Sequence, residues 1–130
     1  MAKKARKVIG VEVVRSAIAD AKKNARENNI RNAEFIVGNV VKVLPKLFSD
    51  GVFANVVIVD PPRAGCDKKV LETFAAMQPD KIIYVSCNPA TLARDLKILD
   101  EFGYKTKKIQ PVDMFPFTSH VESVAQVIQT

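Results

Sequence analysis

Tryptophan is absent from this sequence, histidine occurs once, cysteine twice and glycine five times. No apolar run approaches the roughly 18 residues that a membrane-spanning helix needs. Each shortage excludes a class of protein. A helical membrane protein is excluded, and the basic start, Met1 to Lys7, lacks the apolar segment of a signal peptide, so a cytoplasmic location and no membrane partner are predicted. Cys66 and Cys87 are too few to hold zinc or an iron–sulfur cluster, and in a reducing compartment they should be free thiols. The glycines, at positions 10, 38, 51, 65 and 103, are spaced too widely for any GxGxxG-like loop. Positive charge is also scarcer than the formal +6 suggests. Of 20 basic and 14 acidic residues, Lys3, Lys4, Arg6 and Lys7 fall at the very start, which leaves 16 basic against 14 acidic. Net charge therefore supports a nucleic-acid partner only weakly, because a solvated basic tail explains it as well.

What is present is enough chain for one core and a regular alternation of patterns. The length, with 48% apolar residues, fits a single domain over residues 1–130, of which 1–7 form a flexible basic start. Val8 to Val13 reads as a strand, and Arg15 to Asn28 as an amphipathic helix, since Val14, Ile18, Ala21 and Ala25 recur at helical spacing. Ala33 to Val37 is a second strand. Val40 to Phe48 follows as a helix that Pro45 can break. Ala54 to Val59 is a third strand, stopped at Asp60 by Pro61 and Pro62. Asp67 caps a helix presenting Val70, Leu71, Phe74 and Ala75. Lys81 to Val85, short and β-branched, suits a buried parallel strand, and Asn88 with Pro89 announces a helix that ends near Gly103. Its inward residues are Leu92, Leu96 and Leu99. Tyr104 to Gln110 and Val121 to Gln129 are joined too closely for a crossover and should pair antiparallel. The predicted fold class is α/β, a mostly parallel sheet closed by an antiparallel strand.

Candidate functional residues lie at the carboxyl ends of these strands, where ligands of open α/β sheets bind. Cys87 stands at a strand-to-helix turn, near a helix N-terminus that favours a thiolate; it is either a nucleophile or a buried cysteine acting as a small hydrophobe. Glu12 ends the first strand and can accept ribose hydroxyls, or is a solvated carboxylate. Asn39 follows the second strand and can bond an adenine edge, or simply form a turn after Gly38. Asp60 and Arg63 are held by the stiff Pro61-Pro62 loop. Asp60 is a ligand contact or a cap for local amides, and Arg63 pairs with a substrate phosphate or with Asp60. The loop 113–122 is apolar for an exposed connection. It carries His120, a base or a hydrogen-bonded structural imidazole, and Glu122, a candidate general base. Cys66 has no candidate base near it in sequence and is read as structural.

The strand order resembles the Rossmann-like fold of S-adenosylmethionine-dependent methyltransferases. Three segments together, DPPRAG (60–65), SCNPATLARD (86–95) and DMFPFTSHVE (113–122), closely resemble the RNA uracil-5-methyltransferases, which make 5-methyluridine in tRNA and rRNA. The resemblance runs from GVEVV at residue 10 to the end, but covers only the C-terminal part of a family member. Beyond it lie an RNA-binding β-barrel domain, a central domain, the iron–sulfur cysteines of some members, and the first catalytic-domain strand with its glycine-rich loop.

The resemblance implies S-adenosylmethionine as cofactor and a flipped or single-stranded uridine of rRNA or tRNA as substrate. It makes Cys87 the nucleophile, Glu122 the base, and Glu12, Asn39 and Asp60 the cofactor contacts. Arg63, Phe115 and Phe117 become candidate substrate contacts, the two rings as packing partners for the base. Two other readings stand beside it: a catalytically inactive fragment that at most binds RNA weakly, and an exocyclic amino methyltransferase, which would need no thiol. Without its first strand the sheet has a gap between the Val8 and Val56 strands. They are expected to pair directly, to leave an exposed edge, or to recruit another chain by self-association.

Overall fold

A computed structural model describes residues 2–130. The chain divides into two compact units, one ending at Lys46 and the other running from Leu47 to Thr130.

In the first unit a short 3-10 turn, Ala2–Lys4, precedes strand β1 (Val8–Glu12), helix α1 (Arg15–Glu27) and strand β2 (Ala33–Val37). The two strands pair in parallel from Val8↔Ala33 to Glu12↔Val37, and β2 is the only strand partner of β1 among the described residues. Helix α1 buries Ile18 and Ala25, two residues of the apolar stripe legible in the sequence. Helix α2 (Val40–Ser49) crosses from one unit into the next and runs straight through Pro45. The expected break does not occur. Proline costs the helix the bond its own N–H would have donated to Val41, but α2 is strongly amphipathic, with Leu44 buried, and its burial outweighs that one bond.

The second unit is built on a four-stranded sheet in the order β3-β4-β6-β5, where β3 is Val56–Val59, β4 Lys81–Ser86, β5 Tyr104–Val112 and β6 Glu122–Gln129. β3 and β4 are parallel, while β6 lies antiparallel between β4 and β5. The terminal antiparallel pair is thus present as expected, and its second strand also docks on β4. Helix α3 (Lys68–Met77) starts at Asp67, whose carboxylate accepts from the Lys69 amide at 2.8 Å. Helix α4 (Pro89–Glu101) starts at Asn88, whose side chain accepts from the Ala90 amide at 3.1 Å. Gly103, at φ +87°, follows its C-cap.

Alternation along β4 buries Ile82, Tyr84 and Ser86 and leaves Lys81, Ile83 and Val85 half-covered. On the buried face, Tyr84, Leu92 of α4 and Ala125 of β6 form a core against which Val59, Cys66 and Leu96 pack. Burying a leucine such as Leu92 or Leu99 contributes roughly 2 kcal/mol, so this face fixes both the register of β4 and the docking of α4.

Candidate active site

In the first unit, Glu12 closes β1 and Asn39 lies two residues beyond β2. The Gly38 amide donates to the Glu12 carbonyl at 2.9 Å, which sets the two residues at the carboxyl edge of one parallel pair. Glu12 Oε1 accepts from the Val14 amide at 2.8 Å and Asn39 Oδ1 from the Val41 amide at 2.9 Å. Both side chains are exposed. One oxygen of Glu12 and the amide nitrogen of Asn39 keep no partner among the described residues. Asn39 thus makes the turn bond that its place after Gly38 suggested.

In the second unit, Asp60 follows β3 directly, and its exposed carboxylate has no hydrogen-bonding partner among the described residues. It caps no local amide. Cys87 follows β4 directly, half-buried, at a bend fixed on both sides: Ser86 Oγ donates to the Asn88 carbonyl at 2.9 Å and accepts from the Asn88 amide at 3.1 Å. The Cys87 thiol is likewise unpartnered among the described residues. Glu122 opens β6, half-buried. The antiparallel pairing of β4 with β6 ends at Ser86↔Ser123, so Cys87 and Glu122 each directly adjoin that last pair, whose residues stand about 5 Å apart at Cα. Val59↔Tyr84 sets the end of β3 alongside, so Asp60, Cys87 and Glu122 come from three separate segments to one edge of one sheet.

Arg63 does not pair with Asp60. Its guanidinium reaches His120, with Nη1 3.3 Å from Nδ1, and the His120 ring meets Phe115 edge-on at a centroid distance of 6.4 Å. Arg63 donating there requires His120 to accept through Nδ1. The loop between β5 and β6 leaves large apolar groups in water, with Phe115 49% and Phe117 107% exposed. Phe117 has φ +68°, a left-handed conformation that bulky residues rarely adopt.

A group the sequence reading missed lies beneath this edge. Asp95, in α4, is wholly buried, and its Oδ2 accepts from the Tyr84 hydroxyl at 2.5 Å and from the Cys66 amide at 2.7 Å. Its Oδ1 pairs with the Arg94 guanidinium at 2.7 Å, and Arg94 Nη2 also donates to the Ala64 carbonyl at 2.9 Å. Asn88 Nδ2 and Thr91 Oγ1 both donate to the Arg63 carbonyl at 3.1 Å. The loop 60–66 is therefore bound along the first two turns of α4. Gly65 fits there at φ +81°, and a Cβ on it would come within 2.6 Å of Asp95 Oδ2. The signal was available: Asp95 lies three residues after Leu92 and four before Leu99, inside the apolar stripe of the helix.

Burial, opposed by a hydrogen bond with Tyr84, pushes the Cys66 thiol up to about 11, so at neutral pH it carries almost no thiolate and is no nucleophile. Burial and the bond to Asp95 push the Tyr84 phenol up as well, and it stays a hydrogen-bond donor. No cluster of metal-binding side chains occurs among the described residues, and no helix is long and apolar enough to cross a membrane.

Parallel strand–helix units closed by an antiparallel strand, with acidic and amide groups at the strand ends, define a Rossmann-like methyltransferase fold. An rRNA methylase from Streptococcus thermophilus shares that fold at a TM-score of 0.75 over 98% of this chain and 76% of its own, with 10% identity. Residues 44–129 match the tRNA (uracil-5-)-methyltransferase family, and a second methyltransferase family matches residues 1–62. The chain belongs to the tRNA (uracil-5-)-methyltransferase family. It is 59% identical over 125 residues to an uncharacterized RNA methyltransferase of Bacillus cereus, covering 96% of this chain and 27% of that protein. A similar protein of Clostridium tetani is also 59% identical, over 124 residues. The solved tRNA (uracil-54, C5)-methyltransferase of Pyrococcus abyssi, in complex with S-adenosyl-L-homocysteine, superposes with a TM-score of 0.81 at 39% identity, over 98% of this chain and 30% of its own. The chain thus spans little more than a quarter of the length of the curated relatives it matches.

Proposed function

We propose that this chain carries the catalytic residues of an enzyme that methylates C5 of a uridine in RNA, through a covalent bond between Cys87 and C6 of the base. The observation that supports the reading is the β4–β6 register, whose last pair, Ser86↔Ser123, is directly followed by Cys87 and preceded by Glu122. Uracil C5 is a weak nucleophile. Addition of the Cys87 thiolate at C6 gives the ring enolate character and makes C5 carbanion-like, able to take a methyl group. Glu122 then removes the C5 proton, electrons return to the ring, the C6–S bond breaks and the thiolate leaves. Half-burial suits both groups, since each must meet a base with little water between them.

By chemistry, the residues of each unit fit S-adenosylmethionine: in the first, Glu12 retains an unpartnered carboxylate oxygen suited to ribose hydroxyls and Asn39 an amide donor suited to an adenine edge, and in the second Asp60 keeps an unpartnered carboxylate. When bound, this cofactor supplies an electrophilic methyl group on sulfonium sulfur. Arg63 suits a substrate phosphate, although its contact with His120 also ties loop 60–66 to the loop ahead of Glu122. Phe115 and Phe117 suit stacking on an extruded base. An RNA substrate, in tRNA or rRNA, supports a cytoplasmic site of action.

The test is trapping on RNA containing 5-fluorouridine, with S-adenosylmethionine present. Fluorine cannot leave C5 as a cation, so the methylated base should stay bonded to the protein, and peptide mapping should find the adduct on Cys87. Methylation of ordinary RNA without a trapped adduct would favour an exocyclic amino target and sink the thiol mechanism.

The outer edge of β3 has no strand partner among the described residues, and Val56 and Ile58 are 51% and 45% exposed. This supports self-association through that edge when the 130 residues are expressed alone. Sedimentation equilibrium should then report a dimer at micromolar concentration, and a strict monomer would refute it.

A further inference from the structure

We propose that Asp95 is a positioning residue for this reaction: its buried carboxylate fixes the strand–turn–helix elbow that presents Cys87 and pins against that elbow the loop that presents Asp60 and Arg63. The inference rests on the proposed thiol mechanism and adds a residue to it. Tyr84 and Asp95 lie on the two arms of the elbow, Tyr84 three residues before Cys87 on β4 and Asp95 eight residues after it on α4. Their hydrogen bond closes the elbow from beneath. The same oxygen takes the Cys66 amide, at the far end of the 60–66 loop, while the other oxygen orients Arg94 toward the Ala64 carbonyl. One carboxylate therefore joins β4, α4 and the loop 60–66, the segments that carry or flank Cys87, Asp60 and Arg63. An apolar residue would fill the same volume in the helix stripe but would leave the Cys66 amide and the Tyr84 hydroxyl without their acceptor. A displacement of about 1 Å in a reacting group costs on the order of 100-fold in rate, so such a brace acts on turnover well before it acts on binding.

The test compares wild type with Asp95→Asn, Asp95→Ala and Tyr84→Phe in the longest polypeptide that its gene encodes, at a temperature well below the melting point of each variant. Expected are a kcat per folded molecule down on the order of 100-fold for Asp95→Ala and partial rescue to about 10-fold by Asp95→Asn, which keeps an acceptor oxygen. The KM for RNA should change by less than about tenfold, because Arg63 is the one proposed RNA contact on the loop that the brace pins. A purely structural role predicts wild-type kcat for every variant that folds, and that result overturns the proposal. If Asp95→Ala does not fold, Asp95→Asn and Tyr84→Phe decide by the same criterion. Alkylation of Cys87 by iodoacetamide, followed by peptide mass, needs neither RNA nor cofactor and separates this proposal from the mechanism it rests on. A rate changed at least about threefold in Asp95→Asn supports the brace even if wild type forms no adduct with RNA, and an unchanged rate overturns it.

Discussion

Replacing Cys87 by alanine, in the longest polypeptide that its gene encodes, should reduce methyl transfer to RNA by at least about 10⁴-fold, because in the proposed mechanism C5 gains carbanion character only when the Cys87 thiolate adds at C6. The 5-fluorouridine adduct should vanish with it. Cys66 cannot take over: it packs in the core below the sheet edge, and burial pushes its thiol up to about 11, so near neutral pH it carries far less thiolate than an ordinary cysteine. Cys87→Ser should fare little better than alanine, since an alkoxide at neutral pH is far scarcer than a thiolate and leaves C6 less readily. RNA affinity should hold within about threefold in both variants, because the thiol contributes to bond formation rather than to docking. The discriminating measurement is single-turnover transfer of a labelled methyl group at saturating enzyme. A rate within tenfold of wild type in Cys87→Ala would remove the covalent mechanism altogether.

Much of this arrangement could be read from the residues alone, for physical reasons that differ by element. The strand Lys81–Val85, which runs on to Ser86, announced itself because a β-branched run ended at turn residues, and α3 and α4 because Asp67 and Asn88 could serve as caps and do. Pro45 left the helix over Val40–Phe48 open to a break, and burial of the apolar face of α2 decided against it. The insertion of β6 between β4 and β5 is a long-range pairing that periodicity cannot express, and it sets the start of β6, with Glu122, beside the end of β4. Asp95 was passed over for a related reason. A charge within an apolar stripe reads as an interruption until its partners are known, and apart from the adjacent Arg94 those partners, Tyr84 and the Cys66 amide, lie 11 and 29 residues away. The contact between Arg63 and His120, 57 residues apart, was equally out of reach, and it replaced the nearer pairing with Asp60.

Replacing Glu122 by glutamine should produce a different failure from the loss of the thiol, and the difference is diagnostic. The amide keeps the size and half-buried setting of the side chain, so the Cys87 bend and the β6 register have no reason to move. Thiolate addition and methyl transfer precede proton removal and should therefore still occur once. The C5 proton then has no acceptor, the enolate cannot reform, and the C6–S bond cannot break. Turnover should fall about 10² to 10⁴-fold, the span expected for loss of a positioned base, while unmodified RNA and S-adenosylmethionine together build up a covalent protein–RNA species. Denaturing electrophoresis should resolve it, and mass measurement should find it one methyl group heavier than protein and RNA combined. Wild type, able to release the base, should accumulate none. His120 is the competing base, but its Nδ1 is engaged by Arg63 and its ring is exposed, whereas Glu122 is half-buried and adjoins Ser123, the partner of the residue before Cys87. Slow turnover by Glu122→Gln without any accumulated adduct would mean that the step before proton removal had been damaged, and the role of base would pass to another group.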